Sequence, residues 1–87
     1  MKIEYSKNFI KKYKKSPSKI QKEFKDRLRI FLKNRQSQLL NYHRLSGKLK
    51  DISSINLSGD WRALFMEIEK EDVIYFVAIG THSDLYR

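Results

Sequence analysis

The chain has 87 residues, 40% of them hydrophobic and 13% aromatic, enough for one modest core and too much for disorder over most of its length. With no cysteine, neither a disulfide nor a thiolate metal site can brace the fold, and no apolar run is long enough to span a bilayer. The formal charge of +9 is lopsided: residues 1–50 hold 16 Lys/Arg against 3 Asp/Glu, giving +13, while residues 51–87 hold 3 against 7, giving −4. A polycationic half predicts a polyanionic partner, nucleic acid first, because neutralising phosphates releases counterions; a lysine-rich face that serves only solubility is the plain alternative. Without an apolar leader, the expectation is a single soluble cytoplasmic domain with no membrane partner.

Along the chain, "MKIEYS" alternates Ile3 and Tyr5 with Lys2 and Glu4 and reads as a short strand. Ser6 is placed to cap a helix running to about Lys15, with Phe9, Ile10 and Tyr13 on its inner face. "SPS" at 16–18 predicts a break and restart, with Ser16 as N-cap and Pro17 at the first helical position, where its missing N–H costs nothing. Ile20, Phe24, Leu28, Phe31 and Leu32 then form one apolar stripe on a helix to about Arg35, with Lys22, Lys25, Arg29 and Lys33 opposite. From Gln36 to Lys50 the periodicity disappears and a surface loop is expected, containing His43.

After the loop the pattern turns to β. "DISSINL", "WRALFMEIE" and "VIYFVAIG" are β-branched and aromatic runs separated by "SGD" and "KED", the signature of an antiparallel meander. In the middle run Trp61, Ala63 and Phe65 alternate with Leu64, Met66 and Ile68, so both faces carry apolar groups. The expected architecture is therefore α+β: an N-terminal strand, a two-helix hairpin and a meander sheet, the helices covering one face and leaving the other partly open.

The chemistry available is narrow. His43 and His82 lie in different elements without paired-ligand spacing, and there is neither a Gly-rich phosphate loop nor a nucleophile-elbow serine. No metal and no small-molecule cofactor is expected. What remains is His, Arg, Asp, Tyr and Lys, the set that metal-free RNA cleavage uses. A base takes the 2′-hydroxyl proton, a cation steadies the phosphorane and an acid protonates the departing 5′-oxygen. An imidazole suits either proton-transfer role near neutral pH.

The block "HRLSGKLKDISSINLSGDWRALF" and the ending "GTHSDLY" resemble the RelE/ParE toxin superfamily, nearest its YafQ-like branch of ribosome-dependent mRNA interferases. The likeness runs over the whole chain: a helical hairpin, "H-x-L-x-G-x-x-K", "D-W-R" opening a strand, and "G-T-H-x-x-L-aromatic" at the end. It implies a RelE-like fold and a catalytic set of His43, Asp60, His82 and Tyr86, with Arg62 on the arginine that RelE-like relatives use beside the scissile phosphate. Asn56 stands where the YafQ-like pattern has a further histidine, and Ala78 where relatives often carry an arginine, which leaves Arg62 as the charge stabiliser. Lys22 and Lys25 on the second helix and Arg44, Lys48 and Lys50 in the loop are the candidates for RNA phosphate contact. The resemblance also implies a cognate acidic antitoxin, with mRNA and the ribosome as targets. By this reading a C-terminal strand brings His82 and Tyr86 to the sheet edge that carries Asp60 and Arg62.

Each site residue also has an ordinary reading. His82 can cap the end of a strand, His43 can be an exposed loop histidine, and Asp60 in "SGD" can be a turn former. Tyr86 can plug the core, and Arg62 can pair with Glu67 or Glu69. Two other functions fit the same fold: a ParE-like gyrase poison that needs no histidine chemistry, and a weakly active or decayed basic RNA-binding protein.

Overall fold

A computed structural model describes residues 1–47 and 51–86. The chain runs β1 (Lys2–Tyr5), α1 (Lys7–Lys15), α2 (Ser18–Lys33), β2 (His43–Arg44), β3 (Ser53–Asn56), β4 (Trp61–Ile68), a 3₁₀ turn (Glu69–Glu71), β5 (Val73–Thr81) and α3 (His82–Leu85). The strands form one five-stranded sheet in the order β1-β5-β4-β3-β2. β1 lies parallel to β5, and the remaining neighbours are antiparallel.

Ser6 does two jobs at the first helix. Its Oγ accepts the Phe9 N–H at 2.9 Å, capping α1, and lies 3.2 Å from the Val77 carbonyl, to which it donates. Val77 is the extra residue of a β-bulge, since β5 passes from Phe76 opposite Phe65 to Ala78 opposite Leu64. The bulge turns a carbonyl out of the β4 ladder, and the start of α1 satisfies it.

Ser16 does not cap the second helix; it closes the first, with its Oγ donating to the Lys12 carbonyl at 2.8 Å. Pro17 is the N-cap of α2 and offers no side-chain acceptor. Gln21 stitches the corner instead, its Nε2 donating to the carbonyls of Tyr13 and Ser16, each at 3.0 Å. The apolar stripe of α2 is also narrower than expected. Ile20, Phe24 and Phe31 are buried and Leu28 is half-buried, but Leu32 is 50% exposed. Ile10 on α1 is likewise 42% exposed. Both lie at the margin of faces whose centres are taken by phenylalanines.

α2 ends at Lys33 rather than Arg35, and Arg35 turns back to pair with Glu67 while its guanidinium carbon sits 4.9 Å from the Phe31 ring centroid. The expected loop is only partly a loop. Leu40 is fully buried and its carbonyl accepts the Asn56 N–H at 2.7 Å, which carries the chain along β3 and lets His43 and Arg44 add a short edge strand.

The core lies between the helices and one sheet face. Ile55, Ala63, Phe65, Ile74, Phe76 and Ile79 from the sheet meet Phe9, Ile20, Phe24 and Phe31 from the helices, with Leu40 and Leu57 closing one end. Strand alternation puts Arg62, Leu64, Met66 and Ile68 on the other face. That outer face carries none of the long helices.

Tyr42 ties the core to its polar rim, its hydroxyl donating to Glu67 Oε2 at 3.0 Å. Burial first, and the Glu67 carboxylate second, hold its phenol above the ordinary tyrosine value, and burial raises Tyr5 and Tyr13 too. A phenol whose folded pKa exceeds its unfolded value contributes stability that is full below about pH 10 and is lost as pH rises through the folded value. Thermal unfolding should therefore hold its midpoint up to about pH 10 and fall above it. Tyr42→Phe should soften that fall while costing about 1 kcal/mol at neutral pH for the lost hydrogen bond. A midpoint that declines no faster in wild type than in Tyr42→Phe would remove this phenol from the account.

Candidate active site

Register places the candidate residues on the outer face in two rows. Asn56 pairs with Arg62 and Arg62 with Gly80, one residue on each of β3, β4 and β5. Two residues along, His43 pairs with Ser54, Ser54 with Leu64 and Leu64 with Ala78. Cross-strand partners share a face, so the rows run side by side about 7 Å apart, and the four strands span about 14 Å. His43 stands on one bank, at the β2 edge, and the end of β5 forms the other.

The β3–β4 turn sets the height of Asp60 and Arg62. Leu57 N–H donates to the Trp61 carbonyl and Trp61 N–H to the Ser58 carbonyl, each at 3.0 Å, around Gly59 at φ +57°. Glycine is the residue that adopts this conformation without strain. Arg62 is half-buried, and its Nη1 donates to the carbonyls of Gly59 at 3.2 Å and Trp61 at 3.0 Å. It pairs with neither Glu67 nor Glu69; Glu67 is held by Arg35 and Tyr42.

The C-terminal segment is not a continuing strand. β5 stops at Thr81 and the chain folds into the single turn of α3, closed by a capping box: Thr81 Oγ1 accepts the Asp84 N–H and Asp84 Oδ2 accepts the Thr81 N–H, both at 3.2 Å. The strand pattern runs through "VIYFVAIG" into this turn, and the "T-H-S-D" box that ends it covers only four residues. α3 lies back over Gly80, where an added Cβ would sit 3.2 Å from Asp84 Cβ and 3.5 Å from Leu85 Cδ2. His82 N–H donates to the Asp60 carbonyl at 2.9 Å, locking α3 to the β3–β4 turn. His82 and Tyr86, four residues apart, bring their rings to 4.5 Å between centroids.

The structure thus gathers Asp60, Arg62, His82 and Tyr86 at one corner of the outer face. Asp60 enters by its main chain, and its side chain is exposed. His82 is exposed and Tyr86 half-buried, so Tyr86 is not a core plug, and Thr81 rather than His82 caps the turn. His43, also exposed, has its Nδ1 2.8 Å from the Asn41 carbonyl. A carbonyl only accepts, so Nδ1 is the donor in this contact and Nε2 is the nitrogen left to face outward partners.

Two residues between the banks add to the set. Ser54 Oγ and Asn56 Oδ1 are buried on the outer face with no hydrogen-bond partner among the described residues. Ser54 escaped the sequence reading because a serine in "DISSINL" carries no signal beyond strand alternation. Of the phosphate-contact candidates, Arg44 is exposed on β2 beside His43, and Lys48 and Lys50 lie outside the described residues. Lys22, paired with Asp26 at 3.8 Å, and Lys25 belong to α2 on the opposite side of the sheet and do not join the site. Among the described residues no group of His, Asp or Glu gathers as a metal site, and no helix is long and apolar enough to cross a membrane.

Arg62 on β4 lies between the edge strand that carries His43 and the turn that carries His82. Comparison with known proteins agrees with the fold. No curated protein matches the sequence. The crystal structure of YafQ from E. coli strain BL21(DE3) superposes with a TM-score of 0.80 at 21% identity, over 98% of this chain and 97% of that one. A chain of the E. coli DinJ-YafQ complex gives 0.78 at 22% identity over 98% and 97%, and the isolated E. coli RelE toxin gives 0.72 at 20% over 92% and 82%. A family model described as the bacterial toxin of type II toxin-antitoxin system, YafQ, matches residues 1–87. The chain belongs to the YafQ family of type II toxins.

Proposed function

We propose that the protein is a metal-independent endoribonuclease that cleaves mRNA in the ribosomal A site and is restrained by an acidic antitoxin. The observation that carries this reading is the lock between His82 and Asp60, 2.9 Å across the main chain, which holds the His82–Tyr86 pair at the corner occupied by Arg62.

In the reaction, one imidazole takes the proton of the 2′-hydroxyl as its oxygen attacks the adjacent phosphorus. The 5′-oxygen leaves with a proton from a second group, and a 2′,3′-cyclic phosphate remains. His43 with Nε2 unprotonated suits the base, and His82 suits the acid. Arg62 swings from its two carbonyls to the phosphorane oxygens, exchanging neutral acceptors for charged ones. Tyr86 offers a ring on which an unpaired base stacks. Arg44 on the His43 bank, with Lys48 and Lys50, supplies phosphate contacts. Lys22 and Lys25 are across the sheet and do not touch the same strand.

His82→Gln should keep the fold yet slow cleavage on programmed ribosomes by about 10²–10⁴, the usual size of a general acid–base contribution. Arg62→Lys should also be costly, since an ammonium lacks the planar fork that matches phosphate oxygens. Unimpaired cleavage by His82→Gln would remove that histidine from the mechanism; inhibition of gyrase supercoiling by a wild type that leaves mRNA intact would support the ParE-like reading.

The lock itself can be loosened. Thr81→Ala deletes the cap and should cost about 1 kcal/mol, confined to α3. Amide exchange of residues 82–86 should accelerate and cleavage fall, with the core amides unchanged. Fast exchange with full cleavage would show that α3 need not be ordered.

Phosphate binding has its own signature. Arg44→Ala should lower RNA affinity and reduce the slope of log K against log salt by about 1, whatever the RNA sequence. An unchanged slope would return Arg44 to solubility alone.

A further inference from the structure

β1 ends at Tyr5, beside Phe76, so the last residues of β5 have no strand on that side. α1 takes that place, with Ser6 Oγ and Asn8 Nδ2 both donating to the Val77 carbonyl, at 3.2 and 3.5 Å. Asn8 and Lys12, four residues apart and exposed, share the flank of α1 that meets α3 across a cleft of about 550 Å³. Leu64 and Ala78, a cross-strand pair on the outer face, form its floor, and Asp84 and Leu85 its other wall. Ala78 contributes only a methyl group, which leaves the space above it open.

The cleft adjoins the candidate site. Along β4, Leu64 stands two residues from Arg62 on the same face, about 7 Å away. Along β5, Ala78 stands two residues from Gly80, over which α3 folds. Cations therefore mark both ends of a hollow with an apolar floor, Arg62 at one and Lys12 at the other. Lys12 has no ion-pair partner among the described residues. The Asp84 carboxylate is engaged in the capping box of α3.

A hollow of this volume is the size of a small-molecule site and too small for a helix or a strand. Its apolar floor suits the face of an unpaired base, and cations at both ends suit the phosphates on either side of that base in a single strand. Asn8 at the rim offers a carboxamide, both donor and acceptor, to the base edge. A protein side chain could use the floor but would leave the two cations unanswered.

We propose that this cleft is a subsite for the nucleotide adjoining the scissile phosphate, its base resting on Leu64 and Ala78 and its far phosphate held by Lys12. The proposal rests on the outer face being an RNA-cleaving site, and it deepens that reading by giving the strand a path: from the His43 bank, over Arg62, to the flank of α1. It also brings one lysine of the helices to the site, which Lys22 and Lys25 do not reach.

The test follows fluorescence anisotropy of a short single-stranded RNA whose central nucleotide lacks the 2′-hydroxyl, so that it binds without being cut. A series of such RNAs removes one base at a time and leaves an abasic sugar. Wild type should lose about fivefold or more in affinity at a position next to the centre, the scale of one stacked base. Ala78→Phe, which fills the cleft, should bind the intact RNA as weakly as wild type binds that abasic RNA and show no further loss when the base is removed. Lys12→Gln should keep the sensitivity to the base and lower the slope of log K against log salt by about 1.

Absence of RNA binding, or an Ala78→Phe protein as sensitive to every abasic position as wild type, would overturn the proposal. Displacement of the RNA by a nucleoside monophosphate at the same concentration would overturn it too, by assigning the cleft to a free small molecule. Lys12 lies on an exposed helix flank, so Lys12→Gln reports even where the larger ring at position 78 disturbs β5, and an unchanged salt slope also counts against the subsite. A wild type that shows base-dependent binding but cuts no mRNA would keep the cleft and remove the nuclease reading. Cleavage without base dependence would do the reverse.

Discussion

Phe76 sits in the middle of β5 with Phe24 at 5.0 Å, Phe65 at 5.3 Å, Phe9 at 5.6 Å and Tyr5 at 5.9 Å between ring centroids. One ring thus joins the first strand, both long helices and the neighbouring strand. A buried phenylalanine of this kind stabilises a domain by about 3–5 kcal/mol, a large part of the roughly 5–15 kcal/mol that small domains possess. The strand that carries it also accepts the start of α1 at the Val77 bulge and delivers α3 at its end. Core and candidate site therefore share a support: the inward residues of β5 hold the helices, and its outward end positions His82.

The site is built largely from main chain. Gly80 clears space for α3, the Asp60 carbonyl holds His82, and the turn at Gly59 orients Arg62. The side chains that would do the chemistry project from this frame into solvent, where they keep their freedom to meet a substrate. Charge follows a different geometry. The lysine-rich helices occupy one side of the sheet and the histidines the other, so the polycation does not surround the candidate site.

Much of this was legible in the sequence, and where it was not the causes are physical. β4 and β5 announce themselves by alternation in "WRALFMEI" and "VIYFVAIG", and Ser6 by its place before a helical stripe. Ser16 was misassigned because a serine before proline satisfies the rule for an N-cap as well as that for a helix end, and only the tertiary corner made by Gln21 decides between them. Leu32 and Ile10 were placed in the core because periodicity reports direction, not depth; the phenylalanines beside them fill the space first. β2 was invisible, since two residues give no period and depend on the buried Leu40 to bring them to β3. The roles of His43, Asp60, Arg62, His82 and Tyr86 came from family likeness; what geometry adds is that four of them share a corner and His43 faces them from the far bank. Asp60, named as a carboxylate, also holds His82 through its carbonyl, a main-chain contact that no residue type announces.

The parallel pairing of β1 with β5 joins the beginning of the chain to its end, Lys2 beside Val73 and Tyr5 beside Phe76. Contacts so distant in sequence must await the synthesis of the last strand, and the loop between them closes late. While the chain is still being made, β1 has no neighbour, the bulge carbonyl that receives Ser6 does not exist, and α3 has not emerged. The corner that gathers Asp60, Arg62, His82 and Tyr86 is therefore assembled only after β5 and α3 have been made. The topology provides that delay without any further device.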